Sequence, residues 1–238
     1  MSENKLRKHL DKTPVFVESQ NQWKPICFSD SKGNYLDNAN PHEEIAWEIT
    51  WKTFRGGDST RICQGLRGDI QNLTQRYGKV HIYLWAGTCD LTSKNGPVIN
   101  IHPSPQEAQR QLVNNLLSLE EHVTPLENVR LTVLQIPYYS VRVWNDIHGV
   151  SQPHDKENDD QIKSLIDVVN GVIDQINERA GNRSPKFNVD IEKTYKHKNQ
   201  CTKYATNWSL FRDGIDPGDL LAKVWLRNIC KEIKRRCY

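Results

Sequence analysis

Short apolar runs alternate with longer amphipathic runs along this 238-residue chain. Runs rich in β-branched and aromatic residues predict strands over 23–30, 59–66, 79–87, 128–137 and 185–191. Apolar residues at helical spacing predict helices over 66–78, 104–123, 158–182 and 217–236. Strands that alternate with helices, with crossovers long enough for parallel pairing, are typical of one fold class. We therefore predict an α/β fold with three layers, in which helices cover both faces of a doubly wound, mainly parallel sheet.

The length permits one large domain or two small ones. We predict one domain over 23–238, preceded by a polar N-terminal arm over 1–22, because the chain shows no repeat, low-complexity tract or clear linker. The longest stretch without periodicity is 138–156. Long loops of this kind often carry function in such folds.

Composition and charge narrow the class of protein. Apolar residues make up 37% and charged residues 26%, which is typical of a folded globular protein. The net charge of +3 does not by itself indicate nucleic-acid binding, but basic residues cluster in 5–12, 193–203 and 231–238 and form a patch if these segments meet.

No run approaches the ~20 apolar residues of a membrane span, and the N-terminus lacks a signal-peptide core, so we expect no membrane partner and an intracellular location. The six cysteines show no CxxC spacing and are predicted to be free thiols.

The carboxyl ends of parallel strands meet at one edge of a sheet, where α/β proteins bind their ligands. The predicted strand ends carry small, polar and acidic residues, in "FSDSKGNYL", "CQGLRGDI" and "WAGTCDL", and the last loop reads "RDGIDP". A hydroxyl, glycine amides and carboxylates gathered at one edge suit a hydrolytic site. Each segment taken alone also suits an ordinary turn, since Gly, Ser and Asp cap helices and form turns.

In this order, the four segments resemble the four consensus blocks of the GDSL, or SGNH, hydrolases, a family of α/β ester hydrolases with a flavodoxin-like fold. "FSDSKGNYL" resembles the GDSxxxxL block, which implies Ser31 as nucleophile, although Ser29 stands where glycine is expected. "CQGLRGDI" resembles the second block and implies that the Gly68 backbone N–H serves the oxyanion. The resemblance covers about 25–225.

The last two blocks depart from the family pattern. "WAGTCDL" resembles the third block with Cys89 in place of the oxyanion asparagine, and "RDGIDP" resembles the DGxHP block, with Asp213 as the acid and Asp216 in place of the histidine base. Asp30 and Asp90 are expected to support the site. The sequences of these segments also resemble those of SGNH-type domains in polyproteins of invertebrate retroelements.

The two exchanges imply weak ester hydrolysis or none. An ordinary aspartate, with a pKa of ~3.9, is a poor proton carrier at neutral pH unless burial and a like charge raise its pKa. A thiol donates weakly, and loss of one oxyanion donor costs about 10²–10³ in rate. The resemblance implies a small acyl ester as substrate and no cofactor or metal. The alternative is a non-catalytic module that binds nucleic acid or a polyprotein partner.

Three further readings of the site stay open from sequence alone. A histidine from elsewhere could replace the base, and His102, His148 and His154 are the candidates. Cys89 could act as the nucleophile. Asp90 could join Asp213 and Asp216 in binding a divalent cation.

Overall fold

A parallel sheet of four strands lies at the centre of the protein, in the order Thr50–Thr53, Lys24–Ser29, Val80–Trp85 and Val129–Val133. The computed structural model describes residues 1–12, 22–39, 44–195 and 203–238. In chain order the elements are α1 (Glu3–Leu10), β1 (Lys24–Ser29), α2 (Ser31–Asp37), a 3₁₀ helix (Glu44–Glu48), β2 (Thr50–Thr53), α3 (Ser59–Tyr77), β3 (Val80–Trp85), β4 (Thr92–Asn95), β5 (Val98–Ile101), α4 (Pro105–Val123), β6 (Val129–Val133), α5 (Val141–Ile147), α6 (Asp155–Arg179), α7 (Asn188–Ile191), β7 (Glu192–Tyr195), β8 (Lys203–Thr206), a 3₁₀ helix (Trp208–Leu210) and α8 (Asp219–Cys237).

The central strand β3 shows how the sheet is covered on both faces. All six of its residues are buried, as expected of a strand between two helical layers. Tyr83 lies 3.8 Å from the Cys237 sulfur of α8, and Trp85 packs edge-on against Trp225 of the same helix. The alternating residues point the other way, and α3 packs on β1 and β3. The predicted α/β fold with a mainly parallel sheet is thus confirmed.

The predicted strand over 59–66 is wrong, because this segment is the first half of α3. Asp58 caps the helix by accepting a hydrogen bond from the Arg61 N–H (2.8 Å). The second strand is instead β2, whose four residues are only half-buried and therefore carry little hydrophobic signal. Gly65 lies on α3 where a side chain would come within 2.6 Å of the Phe54 ring, so its presence marks a close approach of helix and loop.

Three other segments differ from the sequence prediction. The last predicted strand, 185–191, ends in the short helix α7, and its buried Phe187 stacks on Trp85 at 4.8 Å. The stretch 138–156 contains α5. The predicted arm contains α1, whose buried Leu6 joins the core where α1 packs on α8, while residues 13–21 lie outside the described part.

Two of the basic clusters meet, because α1 packs on α8. The Lys231 Nζ lies 3.2 Å from the His9 Nε2. Most of the cluster 193–203 lies outside the described residues, and the predicted binding of nucleic acid or protein through these clusters stays a prediction. Five cysteines are free thiols, and Cys201 lies outside the described part. None of the described helices combines the length and apolar character needed to cross a membrane.

Side-chain amides of α6 satisfy backbone groups at the free edge of β6 and in the chain that follows it. Asn177 accepts from the Val133 N–H (2.9 Å) and donates to its carbonyl (2.7 Å). Asn170 makes the same pair of bonds with Ile136, at 2.8 and 2.9 Å. Both asparagines are buried. Buried backbone groups need such partners, so these amides take the place of a further strand.

We expect Asn177→Ala to lower the free energy of unfolding by about 2–4 kcal/mol, because two buried backbone groups of Val133 lose their partners. Urea unfolding followed by circular dichroism measures this change. Gln175→Ala, at an exposed position of the same helix, is the control and should have little effect. Equal stability of the two variants would contradict the role given to Asn177.

Candidate active site

The structure brings Ser31 and Asp216 together at the carboxyl edge of the sheet. Ser31 is the first residue of α2, two positions after the end of β1, and Asp216 lies in the loop before α8. The Ser31 Oγ donates a hydrogen bond to the Asp216 Oδ1 at 2.9 Å, although the residues are 185 positions apart. Asp216 is buried, whereas Ser31 is partly exposed. This pair has the geometry of a nucleophile and its base.

The loop around Asp216 is held by hydrogen bonds from its backbone N–H groups to the Asp213 side chain. Asp213 accepts hydrogen bonds from the N–H groups of Ile215 (3.0 Å) and Asp216 (2.8 Å). Gly214 has a φ of +88°, and a side chain there would come within 2.8 Å of Val143 and 2.9 Å of the Ser140 carbonyl. Asp213 thus fixes the position of Asp216 through the backbone, a different task from orienting a catalytic side chain.

Lys32, which no sequence pattern singled out, is buried beside Ser31. Its Nζ lies 2.5 Å from the Asp30 Oδ2 and 2.5 Å from the Thr88 Oγ1, and 5.4 Å from the centre of the Trp85 ring. The Lys32 and Asp30 side chains are only 2% and 1% exposed. Asp30 also caps α2 by accepting from the Lys32 N–H (3.1 Å). These contacts join the ends of β1 and β3 on either side of Ser31.

Burial raises the pKa of Asp216 to about 6. The Lys32 cation opposes this shift, and the Asp213 charge adds to it. The Tyr35 hydroxyl lies close by, and burial followed by the Asp216 charge raises its pKa. At neutral pH the Asp216 carboxyl is mostly ionised and yet more basic than an exposed aspartate.

Ser29, at the position of the expected glycine, is accommodated by a glycine one turn later. The Gly33 N–H donates to the Ser29 Oγ (3.1 Å), and a side chain at Gly33 would come within 2.8 Å of the Ser29 Cβ. The bulk that Ser29 adds is therefore matched by the absence of a side chain at Gly33.

The third segment contributes a thiol and a capping carboxylate. Cys89 is partly exposed, and burial together with the Asp30 charge raises its pKa to about 11, so the thiol stays protonated at neutral pH and is a poor nucleophile. Asp90 accepts from the N–H (3.0 Å) and hydroxyl (2.5 Å) of Ser59, the first residue of α3. Burial raises the pKa of Asp90 to about 6. Asp90 thereby holds the start of α3 beside the site.

Gly68 does not join Ser31, because it lies inside α3, where backbone N–H groups bond within the helix. The loop after β2 instead brings Gly56 and Gly57 to the carboxyl edge. The Gly57 N–H donates to the Phe54 carbonyl (2.9 Å). The sequence signal for this loop was "GGDS", a glycine pair followed by a helix cap.

Two of the candidate replacement bases are engaged with groups other than the Ser31–Asp216 pair. The His102 Nδ1 is 3.2 Å from the Ser104 carbonyl, and His148 stacks on Trp144 at 4.2 Å. His154 directly precedes α6. Within 1–12, 22–39, 44–195 and 203–238, no histidine hydrogen-bonds to the Ser31–Asp216 pair, and no three side chains of His, Cys, Asp or Glu are arranged to hold a metal ion.

A cleft of about 790 Å³ opens beside Ser31. Asn34 and Tyr35 of α2 and Trp144 of α5 form parts of its wall. Asn34 is held in place by the Thr53 hydroxyl, which donates to its Oδ1 (2.8 Å). The volume is within the range of small-molecule sites.

Solved structures with the same fold include ester hydrolases. A GDSL-like lipase from Bacteroides thetaiotaomicron is 12% identical, with 98% of this chain and 97% of that chain covered at a TM-score of 0.61. A lipase/acylhydrolase from Enterococcus faecalis is 14% identical, with 91% and 97% covered at 0.51. An acetylxylan esterase from Geobacillus stearothermophilus is 12% identical, with 90% and 96% covered at 0.51.

No protein-family model and no curated protein matches the chain. At these identities the likeness to the solved structures concerns the fold alone. The protein thus has the α/β fold of GDSL-type hydrolases, a mainly parallel sheet flanked by helices.

We expect Lys32→Met to lower the free energy of unfolding by about 3–5 kcal/mol, because it leaves the buried Asp30 charge without a partner. The double variant Asp30→Asn/Lys32→Met should be more stable than the single one. Lys52→Met is the control, since Lys52 pairs with Asp69 at 2.7 Å with both side chains about one-third exposed, and should cost only about 1 kcal/mol or less. Denaturant unfolding at pH 7 measures all three. A single variant as stable as the double would contradict the pairing.

Proposed function

We propose that the protein is a slow ester hydrolase in which Ser31 is the nucleophile and Asp216 is the general base. The observation that carries the proposal is the 2.9 Å hydrogen bond from the Ser31 hydroxyl to the Asp216 carboxylate, beside an open cleft. The fold shared with lipases and acetylxylan esterases supports the same reaction class. A small acyl ester is the substrate this site suits.

In the first half of the reaction, the Ser31 Oγ attacks the ester carbonyl while its proton moves to Asp216. The bond from the carbonyl carbon to the leaving alkoxide then breaks, and Asp216 returns the proton to the alkoxide, which leaves as an alcohol. In the second half, water attacks the acyl-serine and passes a proton to Asp216. The acid is released, and Ser31 regains its proton.

The oxyanion would have weaker hydrogen-bond donors here than in a site that carries an amide side chain in the third segment. The backbone N–H of Ser31, at the first position of α2, lies where intrahelical partners are lacking. The Cys89 thiol is a weak donor in place of an amide. A base with a pKa of about 6 partly offsets this loss, because general bases work best when their pKa is near the operating pH.

The pH dependence of kcat/KM is expected to report Asp216. Its carboxyl must be ionised to accept the serine proton, so the rate on p-nitrophenyl acetate should fall as the pH drops through about 6. Ser31→Ala should abolish turnover above the uncatalysed rate. Burial also raises the pKa of Asp190 to about 6, but Asp190 lies elsewhere, beside Asn228. Asp190→Asn is therefore the control and should leave the fall in kcat/KM near pH 6 unchanged. Turnover that persists in Ser31→Ala would refute the proposal.

Asp216→His is expected to increase kcat/KM at pH 7 by about tenfold or more, because an imidazole is a better proton carrier at this pH. Asp219→His is the control, since it places a histidine on the cleft wall but not against the Ser31 hydroxyl. It should give no comparable gain. The same assay measures both variants. A rate in Asp216→His no higher than in the parent would show that Asp216 does not occupy the position of the base.

A further inference from the structure

The wall of the cleft beside Ser31 carries more positive than negative charge. Among the described lining residues one is acidic, Asp219, and four are cations, Arg55, Lys94, Arg212 and Lys223. The cations come from the loop after β2, from β4, from the loop before α8 and from α8 itself. Folding therefore gathers them from four separate parts of the chain, and no local basic run accounts for them.

These four cations form no ion pair with a carboxylate of the described residues, although other cations do. Lys52, for example, pairs with Asp69 at 2.7 Å, and Arg179 pairs with Glu120 at 2.6 Å. Within the cleft, Lys94 lies 5.3 Å from the Trp144 ring centre. Arg212 lies 5.7 Å from that of Tyr35. An aromatic face positions a cation without neutralising it, so the charge stays available to a ligand.

We infer that the cleft selects esters carrying a negatively charged group, such as a carboxylate, phosphate or sulfate, which the four cations bind while the ester carbonyl lies at Ser31. A cleft lined by one sign of charge concentrates ligands of the other sign. The inference rests on the proposed hydrolysis at Ser31. It adds that the charge of the substrate, and not only its acyl group, decides which esters react.

Two pairs of esters test the inference, and each pair differs in charge at nearly equal size. Mono-p-nitrophenyl adipate against p-nitrophenyl hexanoate places the charge on the acyl side. 4-Acetoxybenzoate against its methyl ester places the charge on the leaving group. We expect kcat/KM to favour the charged member of at least one pair by about tenfold, mainly through KM, and the preference to shrink as salt screens the cations.

Variants identify the cations responsible. The double variant Lys94→Gln/Arg212→Gln should lower the ratio of charged to neutral kcat/KM severalfold. The matched control is the double variant Arg76→Gln/Lys79→Gln. These cations also lie over aromatic rings, Arg76 over Tyr77 at 5.0 Å and Lys79 over Trp23 at 5.6 Å. They lie beside the amino end of β3, away from the cleft. The control should keep the ratio of the parent. Equal ratios in the two double variants would overturn the assignment to the cleft.

Binding to Ser31→Ala separates this inference from the proposed function. Calorimetric titration of that variant should show tighter binding of 4-acetoxybenzoate than of its methyl ester. If this holds and the parent turns over no ester, selection of the anion stands and hydrolysis falls. If Ser31-dependent turnover occurs without preference in either pair, hydrolysis stands and the inference is overturned. Binding of a single-stranded oligonucleotide without ester preference would also overturn it, in favour of a nucleic-acid surface.

Discussion

The ion pair between Lys32 and Asp30 is the interaction on which the site depends. Both side chains are almost fully removed from water, so neither charge is tolerable without the other. The same ammonium group bonds to Thr88 after β3, while Asp30 caps α2 after β1. Ser31 lies between these two anchors. Its hydroxyl is therefore positioned by charges that must stay paired, and the rest of the site is arranged around this fixed hydroxyl.

The environment of Asp216 is a balance between opposing effects. Burial and the Asp213 charge raise its pKa, and the nearby Lys32 cation lowers it, with a result of about 6. Burial makes the carboxylate a stronger base than an exposed aspartate, and the cation limits this rise of its pKa. Lys32 thus contributes twice, once by pairing with Asp30 and once by opposing the rise in the pKa of Asp216. This balance brings the pKa of the carboxyl closer to the operating pH, although an imidazole remains the better proton carrier there.

The sequence was informative where an element is long or fully buried. β3 and α4 were found because their patterns are continuous, and an ordered set of motifs pointed to Ser31 and Asp216, whose side chains are hydrogen-bonded. β2 was missed because four half-buried residues give no clear period, and Gly68 was misplaced as a consequence. Lys32 could not be recognised, because a buried lysine has the same letter as an exposed one and only tertiary contacts distinguish the two.

The separation of charge within the site explains how it could hold an anionic ester despite its own acids. Asp216 is buried against Ser31, and the Asp30 charge is already neutralised by Lys32. The unpaired cations lie on the wall instead. An anionic group of a ligand is then attracted to the cations of the wall. The like charge of Asp216 disfavours any pose in which that anionic group approaches Ser31. An uncharged ester carbonyl can approach Ser31 without that cost, so under the proposed function the same charge arrangement would both select and orient the substrate.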